Sequence, residues 1–188
     1  MHCHSALSLV SVAAALLLAP AGVAAQAAPP IPGVTGTLAT EGTVEKEYAG
    51  AHAVLVKTID GIEHLFHWTE RTELHGDANP EAVFSGLTPG SRVVVHYVVE
   101  DGAKTAVEVD RISDGGLREM QGVISRVDRR TKRLSIHLAD GSNQILQLSD
   151  HAADDSGNDL GDGATVVVYY VGEDGNKVAH YFRRIRED

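Results

Sequence analysis

Histidine is the residue type in this chain with the most chemistry to offer: ten are present among 188 residues. Neutral imidazole is a good ligand for zinc, copper or nickel. The densest group is His64-Leu-Phe-His67-Trp-Thr-Glu70, with His75 beyond it, so His64, His67 and His75 are the candidate ligands for a divalent metal. Spacing tells against a joint grip by the first two. In an extended strand residues 64 and 67 point to opposite faces unless a bulge intervenes, and His67 and His75 can meet only through the loop between them. The alternative is a set of solvated or core-capping histidines that needs no cofactor.

Other charged groups cluster as well. Asp150, Asp154, Asp155, Asp159 and Asp162 crowd one stretch, and hard oxygen donors suit calcium. An EF-hand reading fails, because Asp159 stands where that loop requires Gly and Thr165 where it requires a bidentate Glu; a solvated Gly/Asp-rich turn fits better. Arg129, Arg130, Lys132 and Arg133 form a basic group beside Arg126. They are the candidate site for an anionic ligand, such as a sugar acid or lipid headgroup, or for a protein partner. Charged hairpins also simply keep sheet edges from pairing. The net charge of -10 argues against nucleic acid, whose binders need surplus Lys and Arg. No G-x-S-x-G, H-E-x-x-H, P-loop or G-x-G-x-x-G motif is present, and the single cysteine, Cys3, lies at the extreme N-terminus. The chain therefore reads as a non-catalytic binding or assembly module. Metal binding by histidines of the first half is the alternative, and an enzyme the third reading, which would need a deep pocket lined by perturbed carboxylates or histidines.

The elements that must position these groups follow from two features. First, Ala6 to Ala19 is an uncharged apolar run, too short to span a bilayer, followed by small residues at Ala24-Ala25-Gln26-Ala27. That pattern predicts a signal peptide over 1–27, with histidines where its basic start would be, and an exported product in periplasm or medium. No later apolar run approaches spanning length, so the mature chain has no predicted transmembrane segment.

Second, the rest of the chain is one unit written twice. Gly42-Thr-Val44 matches Gly122-Val-Ile124 and Asp60-Gly61 matches Asp140-Gly141, at an offset of 80. From Leu87 the offset becomes 73, and 87–112 lies over 160–185 with 14 identities in 26 positions. Each copy reads as five short strands rich in β-branched and aromatic residues, punctuated by Asp-Gly hairpin signals. Asn79-Pro80-Glu81-Ala82 and Asp150-His151-Ala152-Ala153 each predict a short helix after the third strand. The order is β-β-β-α-β-β, so the fold class is all-β: two tandem five-stranded OB-like barrels, with an SH3-like barrel as the alternative. The expected boundaries are an N-terminal linker at 28–40, a first barrel at 41–113, a linker at 114–120 and a second barrel at 121–188.

Alternation assigns the cores. Val54, Val56, Phe66, Trp68, Val93, Val95 and Tyr97 face inward in the first copy. Leu134, Ile136, Leu146, Leu148, Val166, Val168 and Tyr170 match them in the second. The fourth strand is apolar on its other side too, at Val94 and Val98 and again at Val167 and Val171. That second face is expected to be covered by the other barrel, the N-terminal segment or a second subunit.

The Gly-x-Val start, the Asp-Gly hairpin, Leu-x-x-Gly-x-x-Val-x-Val before strand four and Gly-x-Lys-x-Ala in strand five together resemble a family of exported bacterial tandem OB-like β-barrel repeats, a domain of unknown function. The resemblance covers about residues 41–185. It implies the fold and, its motifs being turns and core positions, no functional residues.

Overall fold

The computed structural model describes residues 37–76, 87–113, 115–154, 161–172 and 176–185. The first copy forms β1 (Leu38–Tyr48), β2 (Ala53–Thr58), β3 (Glu63–His67), β4 (Glu73–His75), β5 (Arg92–Glu100) and β6 (Ala103–Arg111). These make one sheet in the order β3-β2-β1-β5-β6-β4, and a parallel pairing of β3 with β6 closes it. The second copy forms β7 (Arg118–Asp128), β8 (Arg133–Leu138), β9 (Asn143–Asp154), β10 (Thr165–Val171) and β11 (Val178–Arg184), a closed barrel in the order β10-β11-β9-β8-β7. Both orders are those of an OB barrel, in which the first strand pairs with the second and the fourth, and the fifth lies parallel to the third. Among the described residues the one helical element is a 3₁₀ turn at Ala49–Ala51, and no helix is long and apolar enough to cross a membrane.

A single strand can serve both halves of a closed barrel only if it bends, and β1 and β7 bend in the same way. Glu45 is an extra residue between the Val44–Val56 and Lys46–Leu55 pairs, and Ser125 between Ile124–Ile136 and Arg126–Ser135. Such bulges increase local twist and let a sheet curl on itself. Just before each bulge stands the glycine of the repeated motif. A Cβ on Gly42 would lie 2.5 Å from Val56 Cγ1 and 2.6 Å from the Lys57 carbonyl oxygen. On Gly122 it would lie 2.5 Å from the His137 carbonyl oxygen and 2.6 Å from Ile136 Cγ1. Close approach of the neighbouring strand, not an unusual dihedral, fixes both glycines.

The alternating residues fill the two interiors. Val44, Val54, Val56, Phe66, Val93, Val95 and Val109 are packed together in the first barrel, and Ile124, Leu134, Ile136, Leu146, Val166, Val168 and Phe182 in the second. A third apolar cluster belongs to neither interior. It joins Ala39 and Val94 of the first copy, Leu117 of the connection, and Ala153, Tyr169 and Tyr181 of the second, with Val167 and Val171 against it. Beside this cluster Glu41 accepts hydrogen bonds from Arg92 Nη2 at 2.6 Å, Tyr169 Oη at 2.7 Å and Arg183 Nε at 3.0 Å. Arg92 also pairs with Glu119 at 2.9 Å.

Some local expectations need correction. Asp150-His151-Ala152-Ala153 is not a helix: these residues complete β9, which turns to pair in parallel with β11 at Ala153–Tyr181 and Asp154–Phe182. The free edge of β11 supplies hydrogen bonds that an isolated helical turn would lack. The helix expected at Asn79 lies outside the described residues, as do the signal peptide over 1–27 and residues 155–160 of the aspartate stretch, which include Asp155 and Asp159. β1 begins at Leu38, within the stretch read as linker, because Leu38, Ala39 and Thr40 pair with Tyr97, His96 and Val95. β7 likewise begins at Arg118, within 114–120.

Gly42→Ala and Gly122→Ala should each lower unfolding stability by about 1–3 kcal/mol, the usual cost of forcing atoms into filled space. Denaturant melts of the two variants check this. Wild-type midpoints in both would contradict the close strand approach.

Candidate metal centre

The rows of side chains that cross the first sheet determine what is placed together. Register aligns Glu41, Val94, Asp110 and His75 in one row, and Ala39, His96, Glu108 and Glu73 in the next. On β5 and β6, Val94, His96, Glu108 and Asp110 share the outer face that the second barrel covers. All four are essentially buried, His96 and Asp110 at 0% exposure and Glu108 at 2%. The second barrel contributes His180, which sits at a bulge. Tyr169 pairs with Tyr181 and Tyr170 with Ala179, so His180 is the extra residue between them. A bulge re-aims its side chains, and here His180 and Tyr181 are adjacent in sequence yet both buried.

The result is a compact polar cluster. His75 Nδ1 lies 2.9 Å from Asp110 Oδ1 and 3.1 Å from Glu108 Oε1. His180 Nδ1 lies 2.8 Å from the same Glu108 oxygen and 3.1 Å from Asp110 Oδ2. His96 Nδ1 donates to the His151 carbonyl oxygen of β9 at 2.8 Å. A carbonyl can only accept, so this nitrogen carries the proton. That leaves Nε2 facing Asp110 Oδ2 at 3.2 Å, with no hydrogen bond of its own. The His75 and His180 rings are 6.0 Å apart, and those of His96 and His180 6.5 Å.

Two carboxylates side by side and out of water demand positive charge. Hydrogen bonds to Asp110 and Glu108 push His75 up to about 10. Burial opposes the charge on His180, but the same two carboxylates outweigh it and raise the group to about 9. Burial would raise Glu108 and Asp110, yet the histidine hydrogen bonds hold both below their ordinary values, Asp110 well below. One ligand atom each from His75, Glu108, Asp110 and His180 lies within 4.8 Å of the others, so the four can converge on one cation. The set is imidazole and carboxylate, the donors of first-row divalent ions. His96 has the second-sphere arrangement common to metal-bound histidine, one nitrogen fixed by a carbonyl and the other turned to the cluster.

No family model matches the chain, and no curated protein does. Solved structures do. Silver(I)-bound CusF from Escherichia coli is 13% identical over 37% of this chain and 92% of that one, with a TM-score of 0.32. A copper(II)-bound variant of CusF from the same organism is 12% identical over 40% of this chain and 99% of that one, with a TM-score of 0.33. Each likeness extends over about two fifths of this chain.

The sequence candidates fall in three places. His75 is in the cluster, its side chain 44% exposed at the edge. His64 and His67 are not in it. His64 Nδ1 accepts from Lys104 Nζ at 2.6 Å, and burial together with that charge lowers its pKa; His67 is exposed at the end of β3. Arg129, Arg130, Lys132 and Arg133 occupy the β7–β8 hairpin, where Lys132 forms an ion pair with Asp150. Arg133 lines a shallow groove of about 400 Å³ with Ile145 and Lys177. Neither motif nor local spacing singles out His96, Glu108, Asp110 or His180. Glu108 and Asp110 alternate on the last strand of the first copy, where the second copy has Tyr181 and Arg183. That contrast between otherwise matching strands was the available signal.

In metal-free protein, stability should depend on pH through this cluster. The raised histidines stabilise fully below their unfolded value near ~6.5, and that contribution is lost as pH climbs through 9 to 10. The depressed carboxylates stabilise fully above roughly 4.5, and their contribution is lost as pH falls further. Chelator-treated protein should thus be most stable between about pH 5 and 6.5. Melting temperature should decline steadily toward pH 10, with His75→Gln roughly halving the proton count on the alkaline side. A flat profile from pH 6.5 to 10 would refute the two shared protons.

Proposed function

We propose that this chain is a non-catalytic metal-binding module that works outside the cytoplasm and holds one first-row divalent ion between its barrels. The observation that carries the reading is the convergence of His75, Glu108, Asp110 and His180 within 4.8 Å, three of them buried. His96, turned toward the same point, is available as a fifth donor. Hydrated surface acids are common and mean little. Two carboxylates and the His180 imidazole held out of water, with the His75 imidazole at the edge, are a costlier arrangement, which an ion of charge +2 would offset. Soft monovalent ions favour thiolate and thioether ligands. The chain has one Cys and two Met, none in this cluster, so zinc(II), nickel(II) or copper(II) suits it better than silver(I) or copper(I).

Zinc chloride titrated calorimetrically into the full chain should bind at one equivalent. Binding should release up to two protons near pH 7.5, since the ion displaces those on His75 and His180. Asp110→Asn and His180→Gln should each weaken binding by about tenfold or more. No heat and no thermal shift with zinc, nickel or copper would reject the reading.

The basic hairpin supports a second, separate reading, favoured by the groove where Arg133 and Lys177 flank the exposed Ile145. Replacing Arg129, Arg130, Lys132 and Arg133 with Ala should weaken retention on a sulfated polysaccharide column at low salt while leaving zinc affinity and melting temperature unchanged. Equal retention would remove this surface from consideration.

A further inference from the structure

The five polar side chains of the metal centre are divided unevenly. His75, His96, Glu108 and Asp110 belong to β4, β5 and β6 of the first barrel, and His180 to β11 of the second. The second barrel also supplies the carbonyl of His151, which fixes the ring of His96 and accepts from Thr37 Oγ1 at 3.2 Å. The first barrel can therefore assemble most of a ligand set alone, but neither the closing imidazole nor the tether that sets the His96 tautomer. We propose that the metal is a clamp between the two barrels: its binding ties β11 and β9 to β5 and β6, and docking of the second barrel completes the site. This rests on the metal-binding reading and adds what occupancy does to the protein.

The remainder of the interface shows why a clamp has something to act on. Apart from the cluster, docking relies on a modest apolar group around Val94, Leu117, Tyr169 and Tyr181, on the hydrogen bonds of Glu41, on the Arg92–Glu119 ion pair and on the Thr37 hydrogen bond to His151. Interfaces between domains of one chain are often small and permit relative motion. A ligand that binds only the docked arrangement shifts the molecule toward it by its differential affinity. By reciprocity the docked arrangement binds the ion more tightly. Bonds from one ion to both barrels are the direct means of such coupling.

Hydrogen–deuterium exchange on the full chain, with saturating zinc and with chelator, tests this. In the wild type zinc should slow exchange at least about tenfold in β5 and β6 and equally in β9 and β11. In His180→Gln, at zinc concentrations that saturate the remaining ligands, protection should persist in β5 and β6 and vanish from β9 and β11. His180→Cys, which offers another zinc ligand at the same place, should restore it. Zinc bound to the wild type with unchanged exchange in β9 and β11 overturns the clamp and leaves the metal site standing; this arm holds whether or not the variants fold. Protection of the second barrel in His180→Gln equal to wild type overturns it as well. Absence of zinc binding overturns both.

Discussion

Two carboxylates held side by side in a water-free seam are the constraint around which this molecule is arranged. Glu108 and Asp110 are two residues apart on one strand, so they project to the same side and cannot separate. Removing them from water would be prohibitive without compensating charge. Every surrounding feature meets that demand. His75 comes in on a short added strand at the barrel edge, His180 on a bulge of the opposing barrel, and His96 from the adjacent strand with its far nitrogen anchored to β9. The apolar seam of Val94, Leu117 and the paired tyrosines excludes solvent, which makes the charge interactions strong.

Most of the fold was legible in the sequence because it rests on local rules. Asp101 and Gly102 both adopt positive φ, as a two-residue hairpin turn requires. Gly61 and Gly141 share a φ of +84 at the repeated Asp-Gly turn. Alternation placed Val54, Phe66, Leu134 and Leu146 inside, and they are. The site was mostly hidden, since its members come from four strands and two barrels. Histidine density drew attention to His64 and His67, which share a neighbourhood in sequence and not in space. The apolar second face at Val94 was legible. Composition does not single out the polar His96, on the same face two residues along, because strand pairing is what brings it beside Glu108. His180 was harder still: alternation misplaces any side chain at a bulge, and the bulge leaves no mark in residue type.

The way the two copies face each other carries a further consequence. The meeting surfaces draw on β1, β5 and β6 of the first copy and on β10, β11 and the end of β9 of the second, and where the strands correspond the matching positions differ in chemistry. His96 corresponds to Tyr169, Glu108 to Tyr181, and Asp110 to Arg183. Two identical barrels joined through this face would obey self-complementarity, each surface meeting its own duplicate. Four acids would then confront one another across a dry contact. Carrying both copies on a single polypeptide releases them from that rule. One half is free to become a bearer of anionic donors and the other a tyrosine- and arginine-lined counterpart, a division of labour closed to a homodimer.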